Sequence, residues 1–216
     1  MGRLGIAGGD YVEGLDVGDA VLIPRHGDPY VQPHRIDHVA NMRTLLDAGC
    51  DRVLALGSVG GLRRELDVGM FLCPHDFIAL HVGRSAFDDR RAHVVPRFDD
   101  DWRGRIVAAW SRSVEAPLRD GGVYWESAGP RFETRAEIGF IAPHADVVGM
   151  TIASECVIAG ELGLPYAAIC IVDNLANGVG ERELTVTEFE EGRRRNRERL
   201  AAAIGAIVPE LTEVGS

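Results

Sequence analysis

Residues Tyr166–Gly178 read YAAICIVDNLANG, and this stretch decides the fold. From Tyr166 to Val172 the run is apolar without alternation, the pattern of a strand buried on both faces. It then breaks into Asp173, Asn174 and a Gly-bearing turn. Other short strand patterns cover Arg3–Ala7, Ala20–Pro24, Arg52–Leu56, Phe77–His81, Val123–Ser127 and Val147–Met150. Helical periodicity marks about Arg35–Ala48, Asp101–Glu115, Thr134–Ile141, Ser154–Leu162 and Thr187–Ile207. Strands alternating with helices predict an α/β fold: a single domain over residues 1–216, with a central mixed β-sheet flanked by helices. The polar stretch Gly83–Gly104 reads as a surface loop leading into a helix.

A chain of 216 residues suits one sizeable core. Hydrophobic residues make up 46% and charged residues 26%, ordinary for a globular protein. The formal net charge of −10 argues against nucleic acid as a partner. The basic run EEGRRRNRERL (Glu190–Leu200) mixes both signs at helical spacing and reads as a solvated helix face. No apolar run is long enough to span a bilayer, and the N-terminus has no signal-peptide pattern. The expectation is a cytoplasmic protein without membrane contact. Cys50, Cys73, Cys156 and Cys170 form no C-x-x-C pair and read as buried thiols, so neither a metal site nor a disulfide framework is expected.

In such folds ligands gather at the carboxyl ends of strands. GSVGG (Gly57–Gly61) offers backbone N–H groups and the Ser58 hydroxyl, Arg25 offers a planar fork, and Thr151 offers a hydroxyl before a helix. With His26 these make a candidate phosphate cradle. Phe132 is placed to stack on a flat heteroaromatic ring, with Glu133 accepting from a ring N–H or an exocyclic amine and Asp173 at the opposite ring edge. The same residues also fit plainer roles: a core Phe, a Glu favoured by a helix N-terminus, an Asp capping a turn.

RHGDPYVQPHRIDHVANMRTLLDAG (Arg25–Gly49), VLALGSVGGLRRELDVGMFLCPHDFI (Val53–Ile78), SAGPRFETRAEI (Ser127–Ile138) and DVVGMTIASECVIAGELGLPYAAICIV (Asp146–Val172), followed by DNLANG, resemble the purine nucleoside phosphorylases. The resemblance is closest to the branch of the methylthioadenosine and methylthioinosine phosphorylases. It implies phosphorolysis of a purine nucleoside, 5′-modified or not, to free base and ribose 1-phosphate. The enzyme would be a pentosyltransferase with phosphate as co-substrate and no metal or organic cofactor, usually a homotrimer. It assigns Arg25, His26, Ser58 and Thr151 to phosphate, Phe132, Glu133 and Asp173 to the base, and Met150 to the ribose. Asp173, Arg25 and His26 carry the catalysis in this reading.

Four residues depart from the family pattern. Asp10 stands where a phosphate-binding hydroxyl is expected, Gly57 where Asn or Thr is usual, Asp37 where Asn is usual, and Leu175 where adenine-specific members carry a second Asp. Asp10 would repel phosphate, which keeps open a phosphate-independent nucleoside hydrolase and a non-catalytic member. Asp173 goes with 6-aminopurines, whereas Asn at that place and the FET triplet (Phe132–Thr134) go with 6-oxopurines. Weighed together, the signals lean to an adenine-type base. The segment after Asp173, GVGERELTVTEF, matches poorly and leaves the 5′ substituent unread.

Overall fold

The computed structural model describes residues 2–9, 15, 17–81, 83–180 and 185–212. Its axis is the pair β3 (Cys50–Gly61) and β9 (Tyr166–Leu175), which run parallel. On the other edge of β3, its first half pairs in parallel with β1 (Arg3–Gly8), which in turn pairs with β2 (Val21–Pro24). The last residues of β3 pair antiparallel with β8 (Val147–Gly149). Beyond β8 lie β7 (Val123–Glu126) and β5 (Asp76–Ile78), both in parallel pairing. Beyond β9 lie β4 (Phe71–Cys73), antiparallel to it, and β6 (Leu118–Asp120). The sheet is mixed, and β1 and β8 share one edge of β3 without meeting along it.

Helices cover both faces. Met42 and Leu45 of α1 (His38–Asp47) and Ile152, Cys156 and Ile158 of α4 (Ile152–Glu161) share one apolar cluster. Trp102, Ile106 and Trp110 of α2 (Asp100–Ser113) share the other with Leu200, Ile204 and Ile207 of α5 (Val186–Thr212). A smaller cluster seats α3 (Arg135–Ile141) against β8. The helix starts follow local chemistry. Asp37 caps α1 by accepting from Ala40 N at 3.0 Å, and Asp99 caps α2 by accepting from Trp102 N at 2.8 Å. Thr134 and Glu137 form a reciprocal capping box on α3.

The predicted alternation holds, with differences that have physical reasons. β4 and β6 are three-residue strands, too short to show a pattern. β5 stops at Ile78 rather than reaching His81. α1 begins at His38, after a 3-10 turn over Pro33–Arg35, because Asp37 takes the cap. The largest difference is GSVGG. It is no loop: β3 runs through it to Gly61, and none of its glycines has a positive φ. Its backbone pairs with β9 throughout and with β8 at Gly60 and Gly61, and Ser58, Val59 and Gly60 line the cleft described below. A Cβ at Gly57 would sit 3.2 Å from Ile152 and 3.3 Å from the Cys170 sulfur, so the core already fills the space that a larger residue would need. All four cysteines are buried free thiols.

Candidate active site

Where β1 and β8 part along β3, a cleft opens that encloses about 790 Å³ of space, its mouth included. Arg25, His26, Ser58, Phe132, Glu133, Met150 and Thr151 all line it, so loops from across the chain converge as the sequence predicted. Asp173 is the exception. Asn174, its neighbour, lines the cleft instead. Successive strand residues face opposite sides, and Asp173 faces inward. It is 1% exposed, and its carboxylate accepts from Asn196 Nδ2 at 2.8 Å and from the Ser58 hydroxyl in a short hydrogen bond. Of the two neighbours, Asn174 and not Asp173 is thus presented to the cleft.

Arg25 also differs from expectation. Its guanidinium is buried and forks onto Glu155 of α4, with Nε at 2.6 Å and Nη2 at 3.0 Å from the carboxylate. Nη1 donates to Leu56 O at 2.7 Å and Nη2 to Ala7 O at 3.0 Å. Among the described residues, all but one of its N–H groups are thus committed to the protein. Tyr166 donates to the same carboxylate at 2.7 Å. Burial opposes both charges of the pair. The attraction between them outweighs it, holding Arg25 protonated above its ordinary range and Glu155 ionised below its own. His38 Nδ1 lies 4.0 Å from Glu155, and burial pushes this ring down to about 4, so it is neutral at pH 7. The fork predicted for phosphate is chiefly a clamp that joins β1, β2, β3 and α4. Ser58 likewise spends its hydroxyl proton on Asp173.

His26 stacks on Tyr30 with ring centroids 4.5 Å apart, and its Nδ1 lies 2.8 Å from Val31 O. A carbonyl only accepts, so Nδ1 carries the proton; this tautomer is assigned from the hydrogen-bond pattern. Thr151 is the N-cap of α4, yet its side chain makes no capping bond. Asp10 lies outside the described residues.

At the other end, the loop before α3 presents Phe132 and Glu133. Thr134 and Glu137 do the capping, and Arg131 pairs with Glu137 at 2.7 Å, so Glu133 is not needed as a helix cap. Glu133 O accepts from Asn177 Nδ2 at 3.1 Å. Its Oε1 is shielded from solvent and has no hydrogen-bond partner among the described residues. Phe132 meets Phe189 of α5 edge-on at 5.2 Å. Gly129 has φ +61°, and a Cβ there would lie 2.7 Å from the Met150 sulfur, so glycine lets this loop close over Met150. Asn174 gives one amide hydrogen to Leu175 O at 2.9 Å and has a second to give. Leu175 points at Gly61, away from the cleft.

The sequence reading also missed Phe189, Arg193 and Asn196. They fall at i, i+4 and i+7, Phe189 just before the run read as a solvated face and the other two within it. Phe189 and Arg193 line the cleft, and Asn196 is buried against Asp173. That spacing marks one helix face, and the lone aromatic on it was the signal. Among the described residues no helix is long and apolar enough to cross a membrane, and no group of three His, Cys, Asp or Glu could hold a metal ion.

Residues 3–209 match the model of the phosphorylase superfamily. A probable 6-oxopurine nucleoside phosphorylase of Archaeoglobus fulgidus is 41% identical over 186 residues, which cover 86% of this chain and 75% of that one. A probable S-methyl-5′-thioinosine phosphorylase of Methanothermobacter thermautotrophicus is 36% identical over 194 residues, covering 88% of this chain and 68% of the relative. The methylthioadenosine phosphorylase of Schistosoma mansoni in complex with adenine superposes with a TM-score of 0.83 at 23% identity, over 98% of this chain and 92% of that one; this likeness is one of fold.

Proposed function

The chain belongs to the phosphorylase superfamily, and on that premise we propose that it is a pentosyltransferase that cleaves a 6-oxopurine nucleoside by phosphorolysis. The products are the free base and a ribose 1-phosphate. The observation that carries the choice of base is the shielded Oε1 of the cleft residue Glu133, which has no hydrogen-bond partner among the described residues. A carboxylate only accepts. A 6-oxopurine offers it the N1–H, whereas adenine presents a bare N1. The Asn174 amide has a hydrogen to give to O6 or N7, both acceptors. The relatives named for 6-oxopurine and thioinosine substrates support the same reading. The lean to an adenine-type base rested on Asp173, which is turned into the core.

Chemically, phosphate is placed against Thr151 and His26, with Arg25 contributing its remaining N–H. Met150 lies against the ribose and Phe132 against the base. The C1′–N9 bond breaks as the phosphate oxygen bonds C1′ through an oxocarbenium-like state. The bond's electron pair leaves with the purine, and the hydrogen phosphate's proton ends on the departing base. Asn174 is not an acid. It stabilises the developing negative charge by hydrogen bonding, a contribution typically of about 10²–10³ in rate.

The homotrimer implied by the resemblance is part of this proposal, as is a cytoplasmic location. Leu80 and Phe140 are 79% and 65% exposed beside a groove that shares Glu133 with the cleft, a surface suited to a second copy. The test is a panel of inosine, guanosine, adenosine and their 5′-methylthio forms, each with and without phosphate. Base release that requires phosphate and yields a ribose 1-phosphate is expected. Equal release without phosphate would make the protein a hydrolase and end the proposal.

A further inference from the structure

An N-cap threonine ordinarily spends its hydroxyl on the backbone N–H of the second or third helical residue. Thr151 does not. The third residue of α4 is Ser154, and its N–H donates instead to Glu126 Oε2 at 3.0 Å, while its hydroxyl makes a short hydrogen bond to Glu126 Oε1. The N–H groups of Thr151 and Ile152 point to the Tyr124 hydroxyl at 3.2 and 3.3 Å. Tyr124 and Glu126 are alternate residues of β7, the two buried ones, so the period of the strand aims both at the end of α4. Gly149 completes the fit: a Cβ there would collide with the Tyr124 hydroxyl.

We propose that Glu126 is a positioning residue that caps α4 from the neighbouring strand, so that the Thr151 hydroxyl is left for phosphate in the cleft. The inference rests on the reading of Thr151 as a phosphate ligand. Glu126 is 1% exposed, and a buried carboxylate is a costly way to cap a helix when a threonine already stands at the N-cap. Burial pushes it up to about 7, against the pull of the Ser154 hydroxyl and the N–H groups of Ser154 and Ala153, with Glu155 adding to the rise. A capping group kept at that cost fits a role beyond holding the helix.

The test is a double-mutant cycle on the full-length protein, with inorganic phosphate titrated by calorimetry and the melting temperature followed in parallel. Thr151→Ala should weaken phosphate binding. Glu126→Gln offers one acceptor where two are needed. Thr151 should then turn back to its own helix, raising the phosphate Kd about fivefold to tenfold, the equivalent of one cap. In the Thr151→Ala background, Glu126→Gln should add less than about twofold, because the group it positions is gone. Full additivity, or no effect of Glu126→Gln on phosphate while Thr151→Ala has one, overturns the inference. If Thr151→Ala leaves the phosphate Kd unchanged, the phosphate reading of Thr151 itself falls. Should Glu126→Gln not fold, the same cycle with Glu126→Asp, which keeps the charge but shortens the reach to Ser154, must show the same coupling; additivity there overturns the inference equally.

Discussion

The two ends of the cleft are built on opposite plans. At the end proposed for phosphate the strongest polar groups already hold one another: Arg25 with Glu155, Ser58 with Asp173, Glu126 with Ser154. At the end proposed for the base, a carboxylate oxygen of Glu133 has no donor among the described residues, beside the edge-on pair Phe132 and Phe189. The inward bonds fix the geometry before any ligand arrives, a condition for electrostatic stabilisation without reorganisation. The unpaired oxygen leaves the choice of base to what the ligand can donate. Changes at the first end should therefore register in stability, and changes at the second in selectivity.

The sharpest way to break this contrast is Glu155→Ala. It strands the buried Arg25 charge and should lower stability by about 3–5 kcal/mol, read as a large drop in melting temperature. A small drop would mean that Arg25 is held for the ligand rather than for the fold. Asn174→Ala should reduce kcat/KM for inosine by about 10²–10³ with little change in melting. Asp173→Ala should do the reverse, losing stability while keeping the preference among bases. A base preference that follows Asp173 rather than Asn174 would restore the sequence-based assignment.

A third test uses pH. The native-state carboxyl of Glu126 is raised to about 7 from an ordinary 4.5. A raised acid favours the folded state when protonated. Its contribution is fully present below pH 4.5 and is lost as pH rises through 7. Relative to Glu126→Gln, the wild type should therefore lose on the order of 3 kcal/mol of stability between pH 4.5 and pH 8, followed by denaturant titration. Tyr124, Glu155 and Cys156 are the titratable neighbours, and the variant keeps all three. Parallel stability curves for the two proteins would refute the assignment. The smallest effect belongs to Glu133→Gln. An amide both donates and accepts, so the preference for 6-oxopurines should fall about tenfold, within the ~1–3 kcal/mol of one buried polar contact.

Most of the architecture was legible because it rests on patterns that burial enforces. YAAICIV reads as a strand covered on both faces, and the helical pattern from Thr134 to Ile141 announced α3. Two things were not legible, for related reasons. Glycines in GSVGG suggest a turn, yet here they are small because Val148, Leu66 and Leu175 pack against the strand. Which of Asp173 and Asn174 faces the cleft depends on register, and the β3–β9 pairing slips between Val59 and Gly60, just before that point. Nor could the sequence show that Arg25 has a partner 130 residues away in Glu155. Local spacing announces which residue types are present, whereas the three-dimensional pairing decides which of them are already spent.

The most direct measurement is the ratio of kcat/KM for inosine to that for adenosine, in saturating phosphate, on the unaltered protein. The proposed site, with Glu133 accepting from N1–H and Asn174 donating to O6 or N7, predicts a ratio of about 100 or more in favour of inosine. A ratio near one, or a preference for adenosine, would contradict it.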